Sequence, residues 1–540
     1  MPANGKVGQK KPGRMTGHAR ILIPALIILA LLFLAGETGG SAHASDTGPL
    51  PGIETAPAEE SENEDIPVFN GSWSEDDEEG EPGSGRENMG EPATQTGTSN
   101  LTWRVETAFR NLFNTRRSRT FTEDYEKNEL TARIELTWGP DENHLYSLTD
   151  ASLLPTFIND RIGDEYVYSP DTVIARNLRI SSKESEVIFR ELYFHHAFQK
   201  GRIRVGNQIY AWGTADFINS TAYINPQDLR EALFRDENRM KLPVPSVSGM
   251  FFLKSATLEL VWVPVSMSAP LAPTGNFWAP KLVEDKYPLI FDDPDPMDPD
   301  VKNFGYAARV SKSLDSMDIS VSAYHGPDTQ PVIRPLRTDV SPGRPIGIVV
   351  RPEYHMVDFI GADFSLTRGD FVVSGEGAVS PDKTGSLDQD LSDAANIIFP
   401  YPLKKSPYFS YSIGFNYFIP MEKFIAGHSG DALFTMEWFQ ARYTNPDIND
   451  PDITDILTTR FQDDYFDGRI HLSLTGIFET RRGGSIIWPE IDYDFKNGFK
   501  LECSYASISG SGNGTYESDS LLRYFKDNDF IMVNLKYAYP

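Results

Sequence analysis

The chain has 540 residues, with 77 Asp plus Glu against 50 Lys plus Arg, a formal charge of −27, and 40% hydrophobic residues. It has no run of about 18 apolar residues, which excludes a polytopic helical membrane protein, and its acidic balance excludes the basic footprint of a nucleic-acid binder. The single cysteine, Cys503, excludes a disulfide framework and a cysteine-based zinc site.

Residues 1–20 carry Lys6, Lys10, Lys11, Arg14 and Arg20 and no acid, and 21–35 is an apolar core interrupted only by Pro24. Ala42-His43-Ala44 then places small residues at the two positions a signal peptidase reads. Together these predict a secretory signal peptide over 1–44. The alternative is an uncleaved anchor, although the core falls short of the roughly 20 residues a span needs. Residues 45–100 hold 15 acids against one base, Arg86. Such a segment has little apolar surface to bury and repels itself, which predicts an acidic disordered spacer. A calcium or cationic-partner role is the other reading. The first two segments carry +4 and −14, so residues 101–540 carry −17.

From Leu101 onward the dominant period is two. Leu130, Ala132, Ile134, Leu136 and Trp138 share one face, opposite Thr131, Arg133, Glu135 and Thr137. Tyr411, Ile413, Phe415, Tyr417 and Ile419 face away from Ser412, Gly414 and Asn416, and Leu472 and Leu474 from His471 and Ser473. Successive strand side chains point to opposite faces, so each segment has one oily and one polar surface. Hairpin signals stand at 199–201, 367–370, 481–484 and 496–498. Long polar connections stand at 266–302, 326–352 and 445–464.

Short turns alternating with long loops predict an all-β fold, a transmembrane antiparallel β-barrel of 16–18 strands filling 101–540. About seventeen strand candidates are visible, and a barrel with both termini on one side needs an even number. A set of soluble β-sandwiches competes, but its turns need not segregate by length. The last strand, 530–539, has Ile531, Val533, Leu535, Tyr537 and Tyr539 on one face and Asn534, Lys536 and Ala538 on the other.

The most specific stretch begins at Arg190-Glu191-Leu192-Tyr193. After a turn it reads Arg202-x-Arg204-x-Gly206-x-Gln208-x-x-x-Trp212-Gly213-x-x-Asp216, then Asn225-Pro226-x-Asp228-Leu229-Arg230. It resembles a family of proteobacterial outer-membrane barrels of undefined function, whose pattern runs R-x-G-x-Q-x-x-x-W-G-x-x-D and then I-N-P-x-D. Gly361-Ala362-Asp363 with Glu376, Trp488-Pro489-Glu490-Ile491-Asp492-Tyr493, and Asp527-Asn528-Asp529-Phe530 agree with it. Together the fragments cover most of 186–540. The resemblance implies a porin-like barrel and no particular cargo. The last strand, with its apolar face and near-terminal aromatic, looks like the signal read by the barrel-assembly machinery, although Pro540 follows the aromatic.

Read physically, Arg202, Arg204, Gly206, Gln208, Tyr210 and Trp212 fall on one face of a strand, and Ile203, Val205 and Ile209 on the other. A charge on the lipid face costs about 2–4 kcal/mol at midplane, so the arginines should face the lumen. Asn225 with Pro226 and Asp228 reads as the cap of a short helix, with Arg235 and Arg239 sharing a face at i,i+4. One reading folds the loop 213–246 into the barrel as a constriction lined by Arg202, Arg204, Gln208, Tyr210, Trp212, Asp216, Asn225, Asp228, Arg230, Glu231, Arg235 and Arg239. The other leaves a strand end and a capped surface helix.

No H-E-x-x-H, Walker loop or G-x-S-x-G is present, and His195 and His196 point oppositely on one strand. No enzyme activity, cofactor or metal is expected. Acidic loops at 292–300 and 445–452 lack the pattern of an EF-hand and read as solvated, with calcium bridging to lipopolysaccharide as the alternative. Cys503 sits on the apolar face as a small hydrophobe. The expected function is passive passage of small polar solutes through a bacterial outer-membrane channel after export, with weak ion preference. Its partners would be outer-membrane lipid, lipopolysaccharide and the barrel-assembly machinery. The alternative is the outer-membrane component of an export or lipid-transfer system, or a loop-presenting surface barrel.

Overall fold

The computed structural model describes residues 101–539, except 116–125, 156–178, 279–288, 340–346, 388–397, 511–519 and shorter breaks in the long loops. The signal peptide and acidic spacer of the sequence reading lie outside the described residues, as does Arg235.

The alternating segments form strands: β1 (Leu101–Asn114), β2 (Glu126–Trp138), β3 (Asn143–Leu153), β4 (Arg179–Ser181), β5 (Ser185–Phe198), β6 (Gly201–Gln208), β7 (Val244–Phe252), β8 (Thr257–Val263), β9 (Leu289–Phe291), β10 (Gly305–Leu314) and β11 (Met317–Pro327). They continue with β12 (Val332–Asp339), β13 (Gly347–Glu353), β14 (Met356–Arg368), β15 (Phe371–Ser386), β16 (Leu403–Pro420), β17 (Asp431–Tyr443), β18 (Thr454–Tyr465), β19 (Ile470–Glu479), β20 (Ser485–Asp494), β21 (Phe499–Ser509) and β22 (Phe530–Tyr539).

Nineteen strands share one sheet, and β22 returns to pair with β1 from Val105↔Tyr539 to Asn114↔Phe530. Apart from the three-residue β4, which lies beside β5, these make a closed antiparallel barrel of eighteen strands. β9, β12 and β13 form a separate small sheet in which β13 runs parallel to β9.

Closure removes every free edge, and the alternating pattern then sets what faces each way. On β14, Ile360, Phe364 and Leu366 are exposed while Phe359 and Asp363 are buried. On β17, Met436 and Trp438 are exposed while Thr435, Glu437 and Phe439 are buried. The exposed rows form an apolar exterior, as in outer-membrane barrels.

Connections segregate by rim. Turns at 139–142, 199–200, 253–256, 315–316, 369–370, 421–430, 466–469 and 495–498 occupy one rim, and the long connections occupy the other. Three expectations change. The stretch 445–464 takes in most of β18, which begins at Thr454. The stretch 326–352 holds β12 and most of β13, and the turn at 480–484 lies on the long-loop rim. The wall is also uneven in height, since β6, β7 and β8 have 8, 9 and 7 residues whereas β15 and β16 have 16 and 18.

The interior has two halves. Toward the short turns the inner face is polar, with Lys500–Asp492 and Lys536–Glu502 pairs at 3.0 and 2.9 Å. Toward the long loops it is packed with buried apolar side chains, among them Phe217, Ile218, Phe277, Trp278 and Phe530.

Candidate functional site

The connection between β6 and β7, residues 209–243, supplies much of that packing. A bulge on β5 prepares its entry. Leu148 pairs with Glu191 and Thr149 with Phe189, which leaves Arg190 as the extra residue. A bulge of this kind re-aims side chains: Arg190 and Glu191, though consecutive, both reach the β6–β7 connection. Glu191 accepts the Ile209 N–H at 3.4 Å, where the segment begins. Arg190 donates to the carbonyls of Arg239, at 2.9 Å, and Lys241, where it ends.

Asn225 ties the stem. Its Oδ1 accepts the Tyr210 N–H at 2.7 Å, and its Nδ2 donates to the carbonyls of Gln208 and Leu242 at 3.1 and 2.9 Å. These bonds turn the side chain to the stem, and among the described residues Asn225 caps no helix. The expected helix after Pro226 is absent from the described residues. Instead Asp228 N–H donates to Met240 O, and Leu242 N–H to Pro226 O, joining the two stem strands backbone to backbone. Gln208 is the last residue of β6, so Tyr210 and Trp212 lie beyond the strand on which the periodicity placed them. Tyr210 meets Ser246 Oγ at 2.8 Å, and Trp212 Nε1 donates to Glu259 of β8 at 2.8 Å.

From Gly213 to Thr221 the segment makes no helix or strand, so its backbone donors need other partners. Two wall carboxylates supply them. Glu437 of β17 accepts the N–H groups of Asp216, Phe217 and Ile218 at 2.7, 3.1 and 2.6 Å. Glu376 of β15 accepts Thr214 N–H at 3.0 Å, Ser220 N–H and the Thr221 hydroxyl at 3.2 Å. Between them Asn416 of β16 donates to Asp216 Oδ2 at 2.9 Å. Burial pushes the Asp216 carboxyl up from its ordinary value, against the Asn416 bond and the charge of Arg460. Gly213 has φ +104, and a Cβ there would collide with the Asn219 side chain and Glu376.

Farther along, charges pair with the opposite wall. Arg230 Nε meets Asp228 at 2.8 Å and its Nη2 meets Glu186 of β5 at 2.9 Å. Burial alone lowers this guanidinium, but Asp228 and Glu186 outweigh it and hold it well above its ordinary value. Glu231 takes Arg110 of β1 at 2.6 Å and Lys127 of β2. Arg239 and Arg190 stand 3.8 and 3.6 Å from Asp150 of β3, which Arg133 also holds. Phe234 packs edge-on against Phe530 at 4.7 Å and on Trp488 at 5.2 Å. Tyr223 stacks on Phe359 at 5.0 Å.

The residues marked from sequence and described in the structure therefore fall in four places rather than in one lining. Arg202 and Arg204 stay on β6 toward the short turns, with Arg204 lying 4.8 Å over the Tyr193 ring and donating to His195 at 3.3 Å. Gln208, Tyr210, Trp212 and Asn225 build the stem. Asp228, Arg230, Glu231 and Arg239 bind one flank, while Asp216 binds the other. Arg230 and Asp228 lie side by side as a pair. The wall partners Glu186, Glu259, Glu437, Arg110, Lys127 and Asn416 went unmarked. Each stands on the polar face of a strand, a position that marks an inward side chain but not its partner.

Asp292 pairs with Arg351 at 2.7 Å and Asp300 with Lys302 at 3.2 Å. Among the described residues no three His, Cys, Asp or Glu are placed to hold a metal ion.

A family model also matches here. It is described as "Protein of unknown function (DUF1302)" and covers residues 159–403, under half of the chain. The span takes in the β5 bulge, the stem, the carboxylate clasp at Glu376 and the Gly361–Asp363 stretch of β14. No curated protein matches the chain. Among solved structures, OccK1 (OpdK) of Pseudomonas aeruginosa is similar at 9% identity and TM-score 0.43, over 81% of this chain and 98% of that one. OccK5 (OpdH) of the same organism gives 11% and 0.41 over 82% and 98%. OmpT of Vibrio cholerae gives 7% and 0.35 over 81% and 99%. Likenesses this distant carry no information about solute or mechanism.

Proposed function

We propose that the protein is an outer-membrane, porin-like channel for passive passage of small polar solutes, narrowed by the inward segment 209–243. The observation that carries this reading is the clasp. Glu376 and Glu437 fix an irregular backbone segment against the inner wall, so the segment lies in the path through the barrel. The apolar exterior supports a membrane location, and the charged inner face toward the short turns supports polar cargo. Planar-bilayer recording tests it. The purified barrel should conduct steadily, and deleting 214–220 should raise the unit conductance. Silence of both forms would overturn the reading.

One observation favours a second reading, an outer-membrane component of an export or lipid-transfer system. The long-loop half of the interior is closed by packed apolar side chains, with Ile218 and Phe530 at 0% exposure. A water-filled pore is polar inside. A barrel of that kind should stay silent when purified alone and conduct only once the segment is deleted.

A further inference from the structure

We propose that the inner wall of β20, β21 and β22 carries a binding subsite for a protonated amine, centred on Glu490. The proposal deepens the channel reading and rests on it for access, since it names a class of solute for the polar half of the lumen.

The register lays out the site. Glu490, Ser504 and Met532 pair in one row, and Asp492, Glu502 and Asn534 in the next row toward the short turns. Ile487, Ile491 and Tyr493 take the outer face of β20, and Leu535 and Tyr539 that of β22, so both rows look into the lumen. Inward positions on a strand repeat about every 7 Å and strands stand about 5 Å apart, so the six side chains cover roughly 7 Å by 10 Å.

The patch is rich in acceptors, and its cations are already engaged. Lys500 lies 3.0 Å from Asp492 and 3.5 Å from Glu502, and Lys536 lies 2.9 Å from Glu502. Three carboxylates thus share two lysines, and among the described residues Glu490 makes no hydrogen bond or ion pair. Arg460 of β18, also close to Glu490, donates to Thr475 Oγ1 at 3.0 Å and lies 5.0 Å over the Phe217 ring. Arg110, which borders Met532, is held by Glu231 at 2.6 Å.

The side chains around Glu490 ask for donors. Asp492, Ser504 and Asn534 are 4, 5 and 8% exposed, and Asp492 Oδ1, Ser504 Oγ and Asn534 Oδ1 have no hydrogen-bond partner. Asn534 spends its amide on Glu502 at 2.9 Å, which leaves its oxygen as the free end. Buried acceptors without donors are costly. An ammonium brings three donors, no acceptor and one positive charge.

The surroundings select the rest of the guest. Among the described residues no three His, Cys, Asp or Glu are placed to hold a metal ion, so the patch suits a group bound by charge and hydrogen bonds. Lys500 and Lys536 stand on the short-turn side and repel a second cation there. On the other side Trp488 and Phe530 pack on Phe234. The carbon body of the amine therefore lies toward Trp488 and Met532, which favours an aromatic or alkyl monoamine over a polyamine.

The test is isothermal titration of the full chain in non-ionic detergent with benzylamine hydrochloride at about pH 7, where the amine is protonated. Saturable binding is expected, and benzyl alcohol and benzoate, which keep the ring and lack the ammonium, should not bind. Glu490→Gln should weaken benzylamine about fivefold or more, the loss of a charge-assisted bond. Asp494→Asn, one row beyond the site, should leave binding unchanged. Heat-shifted gel mobility confirms the folded barrel. Should Glu490→Gln lose it, Ser504→Ala is read in its place and should weaken binding about threefold or more. No saturable binding of benzylamine, equal binding of benzyl alcohol, or a folded variant short of its stated loss overturns the subsite. Bilayer recording keeps the two readings apart. Binding in a barrel that stays silent upholds the subsite and overturns the channel, whereas steady conduction without binding overturns the subsite alone.

Discussion

The phenol oxygen of Tyr223 stands where a Cβ on Gly361 would have to go. The same oxygen lies 2.9 Å from Ser322 Oγ on β11, so the glycine on β14 lets the inward segment touch the wall. Gly361→Ala should therefore destabilise the barrel by about 1–3 kcal/mol, the usual effect of overpacking, seen as a lower thermal midpoint in detergent. Tyr223→Phe removes the nearest colliding atom. The double variant should then lose less than the two single losses added together.

Arg230 is 2% exposed and holds two carboxylates, Asp228 and Glu186. Replacing it with Met strands both charges in the interior, at a cost of about 3–5 kcal/mol. Glu186→Gln leaves Asp228 as partner and should cost less, about 1–3 kcal/mol. Denaturant unfolding of refolded protein measures both, and the order of the two effects is the prediction.

Asn225→Ala removes three hydrogen bonds from the stem at once, and at about 1 kcal/mol each the loss is roughly 3 kcal/mol. The effect should be local. Amide exchange should speed up at Tyr210 and its stem neighbours while β16 and β17 stay protected.

Deleting Arg190 removes the bulge and leaves Phe189 and Glu191 adjacent opposite Thr149 and Leu148, so every other residue of β5 keeps its face. A heat-resistant barrel should still assemble. What is lost is the hold on the Arg239 and Lys241 carbonyls. Amide exchange should speed up at that end of the stem, as it should in Arg190→Ala.

Ion preference should follow Arg202 and Arg204 rather than the arginines of the segment. Arg230 is neutralised by its buried partners, whereas Arg202 and Arg204 stand half-buried on the wall toward the short turns. Reversal potentials under a salt gradient should shift toward cations in Arg202→Gln/Arg204→Gln. Arg230→Gln should shift them less, and the parent should show only weak preference.

The barrel was legible because its signal is local. Ile360 and Phe364 against Asp363, or Met436 and Trp438 against Glu437, alternate whatever the rest of the chain does. Inward placement of Arg202 and Arg204 followed from the cost of exposing a charge to lipid. What resisted reading was pairing across the interior. Glu437 and Ile218 are 219 residues apart, and no local pattern joins a carboxylate on one strand to three backbone donors of an irregular segment. The helix expected after Asn225 failed for the same reason. Asn-Pro is a good local start for a helix, but the amide was taken by Tyr210, Gln208 and Leu242. The sequence resemblance ran through Gly206, Trp212, Gly213, Asn225, Gly361 and Glu376, residues that in the structure form the stem, its close approaches and the clasp.

The uneven wall has a consequence for the surrounding bilayer. β6 offers lipid little more than Ile203 and Val205, whereas β16 offers a row from Phe409 to Ile419. At about 3.3 Å per residue and a tilt near 40°, eight residues rise only about 20 Å, less than the roughly 25 Å apolar band of such barrels. Eighteen residues rise well above it. Lipid wetting both flanks would be thinned along the arc of β6, β7 and β8, at a cost of fractions of a kcal/mol per Å of mismatch. That strain would fade wherever another short-walled protein took the place of lipid, which would make the low arc the side on which a neighbour relieves most.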